Sequence, residues 1–261
     1  MSELVKYTTE AGVATLELHN PPANAYSYEM FQQLDTAILR ARMDTDVHVL
    51  LLRGSGDKFF CAGADIAMLS EATPEFKYYF CLHANETLLR LEQTPKLVIA
   101  AINGHCVGGG LEVAMAADIR IAKAGKAKIG LPEVALGVLP GTGGTQRLAR
   151  LIGKSKALQL MVEGRTVGVD EAKTIGMIND VYDADEFWAK INDYARSFCP
   201  PNRASRAVGG IKRAVQTGAE LTLETGLALE RELQQRLFTS ADAQEGIGAY
   251  VEKRKAEFSG K

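Results

Sequence analysis

The chain has little cysteine, a single tryptophan, no excess of either charge and no long apolar run. Cys61, Cys81, Cys106 and Cys199 are its only thiols in 261 residues, and they show neither CxxC spacing nor a histidine at metal-ligand spacing. A disulfide scaffold and a zinc pattern are therefore not expected; reduced thiols, no bound metal and a cytoplasmic location are. No stretch approaches the roughly 20 apolar residues needed to cross a bilayer. Thirty Lys and Arg against thirty-two Asp and Glu leave a formal net charge of −2. That balance supplies no basic stripe, so neither nucleic acid nor an anionic membrane is an expected partner. The first residues, MSELVKYTTEAGVATLELHN, lack a secretory apolar region and an Arg-rich transit pattern. What remains is a globular composition, 46% hydrophobic and 24% charged, long enough for one large core.

Periodicity divides the chain in two. Gly12 to His19 reads as a strand that Asn20-Pro21-Pro22 ends. From Ser27, a plausible cap, Phe31, Leu34, Ile38 and Ala41 recur at helical spacing. VHVLLLRG (47–54) and KLVIAAING are continuous apolar runs, the pattern of buried strands. A helix is expected around Glu75 to Gln93, closed by Pro95, and another from the glycine run through Ala116. DIRIA reads as a short strand, and KIGLPEVALGVLPGTGG as irregular connection. From Gly141 onward the segments fit helices, with only MINDVY reading as a strand. Pro200-Pro201-Asn202 is the strongest punctuation, so the expected division is an α/β core over 1–199 and a helical subdomain over 200–261.

The chemistry concentrates in NGHCVGGGLEVAMAADIRIA, where Gly108, Gly109 and Gly110 precede Glu112. Glycines at a helix start let a ligand oxygen approach backbone N–H groups that have no intrahelical acceptor. CAGADI (61–66) offers a second glycine-softened turn, with Asp65 placed to cap a following helix. One N–H from each segment would make an oxyanion hole. Glu112 and Glu133, in GLPEV, are the candidate acid and base; no serine triad or metal cluster competes with them. Two carboxylates beside an oxyanion hole suit proton transfer next to a carbonyl through an enolate. His105, Cys106, Phe59 and Phe60 read as core or supporting residues.

CAGADI, KLVIAAINGHCVGGGLEVAMAADIRIA, GLPEVALGVLPGTGGTQRLARLIGKSKALQLMVEG and AYVEKRKAEF together resemble the crotonase superfamily, in its enoyl-CoA hydratase branch. The resemblance runs over essentially the whole chain. It implies an α/β fold, a crotonase-like spiral of strand–strand–helix repeats, with a helical C-terminal trimerisation region and assembly as a homotrimer or dimer of trimers. It implies an acyl-CoA thioester substrate, with coenzyme A as part of that substrate and no separate cofactor. Carried over position by position, the N–H groups of Ala64 and Gly109 hold the thioester oxygen, and Glu112 and Glu133 share the water that is added. Gly141, taken as the start of the next helix, helps to position that water. Ala62, Gly63, Asp65 and Ile66 fall along the coenzyme A groove, and Lys58 and Lys253 match basic positions near its phosphates. The resemblance leaves the roles of the two glutamates open, and double-bond isomerisation, acyl-CoA hydrolysis or carbon–carbon cleavage on the same fold are the alternatives to hydration; an RNA-binding relative is the remote one. Ala67 stands where many relatives carry Lys, Tyr26 where an aliphatic residue is common, and Leu131 where some carry a polar residue. From these follow a weaker phosphate contact, a narrower groove and a preference for an apolar acyl chain.

Overall fold

A computed structural model describes residues 2–261. Strands β1 (Val5–Glu10) and β2 (Val13–Leu18) form an antiparallel hairpin that leads to helix α1 (Tyr28–Met43). Ser27 caps α1, its hydroxyl accepting from Met30 N–H. Next come β3 (Val49–Gly54), β4 (Phe59–Cys61), α2 (Ile66–Glu71) and α3 (Pro74–Glu92). The following pass is β5 (Leu97–Ile102), β6 (His105–Val107) and α4 (Gly109–Met115). Then β7 (Ile119–Lys123) and β8 (Lys128–Gly130) run into a 3-10 turn over Glu133–Leu136, α5 (Gly144–Ile152) and α6 (Lys154–Val162). The chain closes with β9 (Thr166–Gly168), α7 (Val169–Thr174), β10 (Asp180–Tyr182), α8 (Phe187–Arg196), α9 (Ser205–Gly218), α10 (Leu223–Phe238) and α11 (Ala241–Glu252).

The described strands form two sheets, a six-stranded one ordered β1-β2-β3-β5-β7-β10 and a four-stranded one ordered β4-β6-β8-β9. Three successive passes place their first strand in the large sheet and their second in the small one: β3 then β4, β5 then β6, β7 then β8. Those neighbours pair in parallel, so each pass needs a crossover, and helices supply it. This is the expected spiral. It brings the ends of β4, β6 and β8 side by side, and the chain leaving each of them reaches the same cleft.

Alternation across the large sheet builds the core. Leu50, Leu52, Val98, Ala100 and Ile102 face one way, onto Phe31, Leu34 and Ile38 of α1 and Phe80, Ala84 and Leu88 of α3. Val49, Leu51, Leu97, Ile99 and Ala101 face the other, onto Phe187, Ile191 and Ala195 of α8. A strand with helices on both faces must be apolar at both parities, which is why β3 and β5 read as unbroken runs.

Several expectations are corrected. The segment 128–144 is not wholly irregular, since it holds β8 and the 3-10 turn. α5 begins at Gly144, so Gly141 lies three residues before the helix; Gly143, at φ 105°, keeps the preceding loop out of the helical region. β1 carries mostly polar residues and buries only Val5, while β4, β6, β8 and β9 span three residues each, too short to show a period. Beyond the Pro200-Pro201 break, α9 packs back on β5 and pairs with α10, which has no buried residue. Among the described residues no helix is long and apolar enough to cross a membrane.

Candidate active site

A cleft of about 540 Å³ opens between α2, α3, the glycine run and the 3-10 turn. The small sheet sets its floor. After β4 the chain turns through Ala62, Gly63 and Ala64, and Tyr26 pairs with that turn as a short parallel bridge. Tyr26 N–H donates to Gly63 O at 2.9 Å, and Asp65 N–H donates to Tyr26 O at 2.9 Å. The bridge uses the residues on either side of Ala64, so the Ala64 N–H takes no part in it. After β6 the chain enters α4 at Gly109, whose N–H, at the first helical position, has no intrahelical acceptor. The two segments touch: a Cβ on Gly63 would stand 3.1 Å from Gly109 N. Two unengaged N–H groups thus come together on one side of the cleft, the arrangement an oxyanion needs.

The glycine run serves three neighbours. Gly108 has φ 55°, and a Cβ there would lie 3.1 Å from Glu133 Oε1. A Cβ on Gly109 would overlap the Tyr26 hydroxyl, and one on Gly110 would overlap the Cys61 carbonyl. The missing side chain at 109 therefore makes room for Tyr26, not only for a ligand oxygen.

Glu112 sits in the first turn of α4 and is 2% exposed. Its Oε1 accepts from Thr142 N–H and Gly144 N–H, both at 2.7 Å. Burial raises its pKa, while those two backbone donors, the Thr142 hydroxyl and Arg147 oppose the rise. Glu133 differs. Its Oε2 is buried with no hydrogen-bond partner among the described residues, and burial pushes its pKa up to about 7, helped by Glu112 and opposed by its own backbone N–H and Lys77. Burial pushes both carboxyls up, but only Glu112 has backbone donors from another loop on its oxygen to oppose the rise.

The cleft brings together Ala62, Gly63, Ala64, Ile66, Gly109, Glu112, Glu133 and Gly141. Lys58, Asp65 and Lys253 do not line it. Asp65 instead caps α2, its Oδ1 accepting from Ala67 N–H at 2.8 Å and Met68 N–H at 3.1 Å. Lys58 lies on the surface beside the Phe59 ring, and Lys253 ends α11 at φ 58°. Leu131 is buried in the core and does not touch the cleft, which corrects its expected role in acyl preference. The apolar end is lined instead by Leu69, Leu136, Val138 and Leu139. Thr142, Gly144 and Lys77 were not singled out in the sequence. Thr142 and Gly144 act through a loop whose shape no local pattern reveals, and Lys77 through the face of α3 that meets the cleft. Among the described residues no group of three or more His, Cys, Asp or Glu could hold a metal ion.

A family model for enoyl-CoA hydratase/isomerase matches residues 8–261. The chain is 38% identical to a short-chain-enoyl-CoA hydratase of Clostridium acetobutylicum over 95% of its length and 94% of that protein's. It is 36% identical to a crotonyl-CoA hydratase of Syntrophomonas wolfei, over 97% and 96% of the two chains. The crystal structure of an enoyl-CoA hydratase from Geobacillus kaustophilus superposes with a TM-score of 0.97 at 43% identity, covering 100% of this chain and 98% of that one. One from Bacillus anthracis gives 0.93 at 32% identity, over 99% and 100%. The chain belongs to the enoyl-CoA hydratase/isomerase family.

Proposed function

We propose that the protein is an enoyl-CoA hydratase that adds water reversibly to a trans-2-enoyl-CoA, giving the 3-hydroxyacyl-CoA. The carrying observation is the pair of unlike carboxyls, Glu112 and Glu133, in one cleft with the N–H groups of Ala64 and Gly109. The thioester oxygen lies on those two N–H groups. Glu112, as carboxylate, takes a proton from water, and the water oxygen bonds to the β-carbon. The π-electron pair moves to the thioester oxygen as an enolate, which the two N–H groups stabilise. Glu133 enters protonated and gives its proton to the α-carbon as the carbonyl re-forms. Glu112 ends protonated and Glu133 ionised, and a proton exchange restores both. Coenzyme A enters as part of the substrate, and its adenine and pantetheine follow Ala62, Gly63 and Ile66. Lys58 and Lys253 are the basic residues proposed for its phosphates. Gly141 is proposed to help hold the attacking water.

Two of the relatives above are named for short-chain enoyl-CoA and crotonyl-CoA, and the cleft lining of Leu69, Leu136, Val138 and Leu139 supports an unsubstituted acyl chain here. Isomerisation needs only one carboxyl. The test is turnover of a panel of enoyl-CoA thioesters, followed as a gain of one water by mass. Glu112→Gln and Glu133→Gln should each lower hydration by about a hundredfold or more, and the double variant should lose much less than the product of the two. If one single variant keeps most of its activity, the reading passes to an isomerase.

A further inference from the structure

Tyr26 is the large polar side chain nearest the two N–H groups, and it is 3% exposed. Its backbone holds the 63–65 turn through the two bonds to Gly63 and Asp65. Its ring meets Phe31 edge-on at 4.7 Å between centroids and lies 6.1 Å from Phe80. Its hydroxyl fills the space that a side chain on Gly109 would take and lies 3.2 Å from Thr142 Oγ1. The ring cannot retreat without opening the core, so the hydroxyl is fixed against Thr142.

Thr142 is itself buried, and its N–H already donates to Glu112 Oε1 at 2.7 Å. A threonine hydroxyl carries one hydrogen and accepts through its lone pairs. Either hydroxyl can be the donor of the bond between them, and in both cases it ties the Thr142 side chain to a ring fixed in the core. Fixing the Thr142 side chain also fixes the backbone N–H of the same residue, the one that donates to Glu112 Oε1. We propose that Tyr26 is a positioning residue for Glu112: anchored beneath Gly109, its hydroxyl bonds the Thr142 side chain and so holds the Thr142 N–H on the Glu112 carboxylate. This rests on Glu112 acting as the base, as argued above. It gives a physical role to the departure at position 26, where an aliphatic residue could fill the space but could not hydrogen-bond Thr142.

The other charged or titratable groups bearing on Glu112 are Glu133 from the 3-10 turn and Arg147 from α5. Arg147 is paired with Glu92 at 2.7 Å and donates to Thr142 O at 3.1 Å, so it steadies the same loop. Neither reaches Glu112 through Tyr26, and a change at Tyr26 leaves both in place.

Tyr26→Phe keeps the ring and removes only the donor. The Glu112 carboxyl band in pH-difference infrared spectra, identified by its loss in Glu112→Gln, should titrate higher than in the wild type by roughly half a unit. The sign follows from loosening a donor to the charged form. The acid limb of kcat/KM for crotonyl-CoA should rise by the same amount, with KM little changed. Thr142→Val should give the same rise, Thr142→Ser should keep the wild-type midpoint, and the Tyr26→Phe/Thr142→Val double variant should rise no further than either single, as expected of groups in series. A Glu112 midpoint in Tyr26→Phe equal to the wild type overturns the proposal. If Tyr26→Phe fails to fold, the contrast between Val and Ser at position 142 decides it. A wild type that hydrates no enoyl thioester would overturn the functional reading instead, and the infrared midpoint would still judge the tie from Tyr26 through Thr142 to Glu112.

Discussion

At the scale of single residues, the cleft gives two chemically identical, buried side chains different hydrogen-bond surroundings. Glu112 has two backbone donors on one oxygen, and Glu133 has an oxygen with none. For Glu133 the consequence reaches stability. Between the ordinary value of 4.5 and about 7, the folded chain holds a proton that the unfolded chain has released. This group therefore makes the fold lose stability as pH rises through that window, and its penalty is complete above about 7. Glu133→Gln removes the penalty. Its Tm should exceed that of the wild type above pH 7 and converge on it near pH 4.5, as read by calorimetry across the range. An equal Tm difference at both ends would show that the buried carboxyl is not the cause. Both glutamates were legible in the sequence because acid–base chemistry needs these residue types beside a glycine-softened turn. Tyr26 was legible only as a departure, since its partner Thr142 lies 116 residues away.

At the scale of elements, α9 shows how the C-terminal helices are tied to the core. Lys212 is buried, and its ammonium pairs with Asp118 Oδ2 at 2.9 Å and donates to the carbonyls of Leu91 and Lys96. Asp118 also accepts from Val98 N–H at 2.7 Å, at the second residue of β5, and from Gln216 at 2.6 Å. Burial raises the Asp118 pKa and lowers that of Lys212, and each partner opposes the shift of the other. Removing one member strands the other without water. Lys212→Ala should therefore destabilise the fold by about 3 kcal/mol or more, read by chemical denaturation. Asp118→Asn/Lys212→Met, which leaves no isolated charge, should recover part of that loss. Elements such as α1 and α3 were legible because each carries its own cap and a helical stripe. The three-residue strands of the small sheet were not, since each is held by ladder bonds to a distant strand and not by a local period.

At the scale of the whole molecule, the helices after Gly141 leave a large apolar surface uncovered. Leu158 and Val162 on α6, Ile211 and Val215 on α9, Leu223 and Phe238 on α10, and Tyr250 and Val251 on α11 are all exposed. Soluble monomers rarely leave so much apolar area facing water. Together with the family resemblance, this supports a homotrimer or a dimer of trimers. Light scattering at micromolar concentration should give a mass of three or six chains of 28.2 kDa, and a single-chain mass would refute the assembly.

By itself the sequence determined an α/β class, because buried runs and helical stripes show it, the family, because its motifs resemble that family's, and a candidate pair of carboxylates, because one lies beside a glycine run. Tertiary structure alone decided which glutamate has a distant loop's backbone donors on its carboxyl oxygen. That depends on two N–H groups of a loop 30 and 32 residues further along the chain, at Thr142 and Gly144. It also decided why the glycines are glycines. The side chain each would carry is forbidden by Glu133, by Tyr26 and by the strand at Cys61, neighbours distant in sequence that only the spiral of the chain brings together.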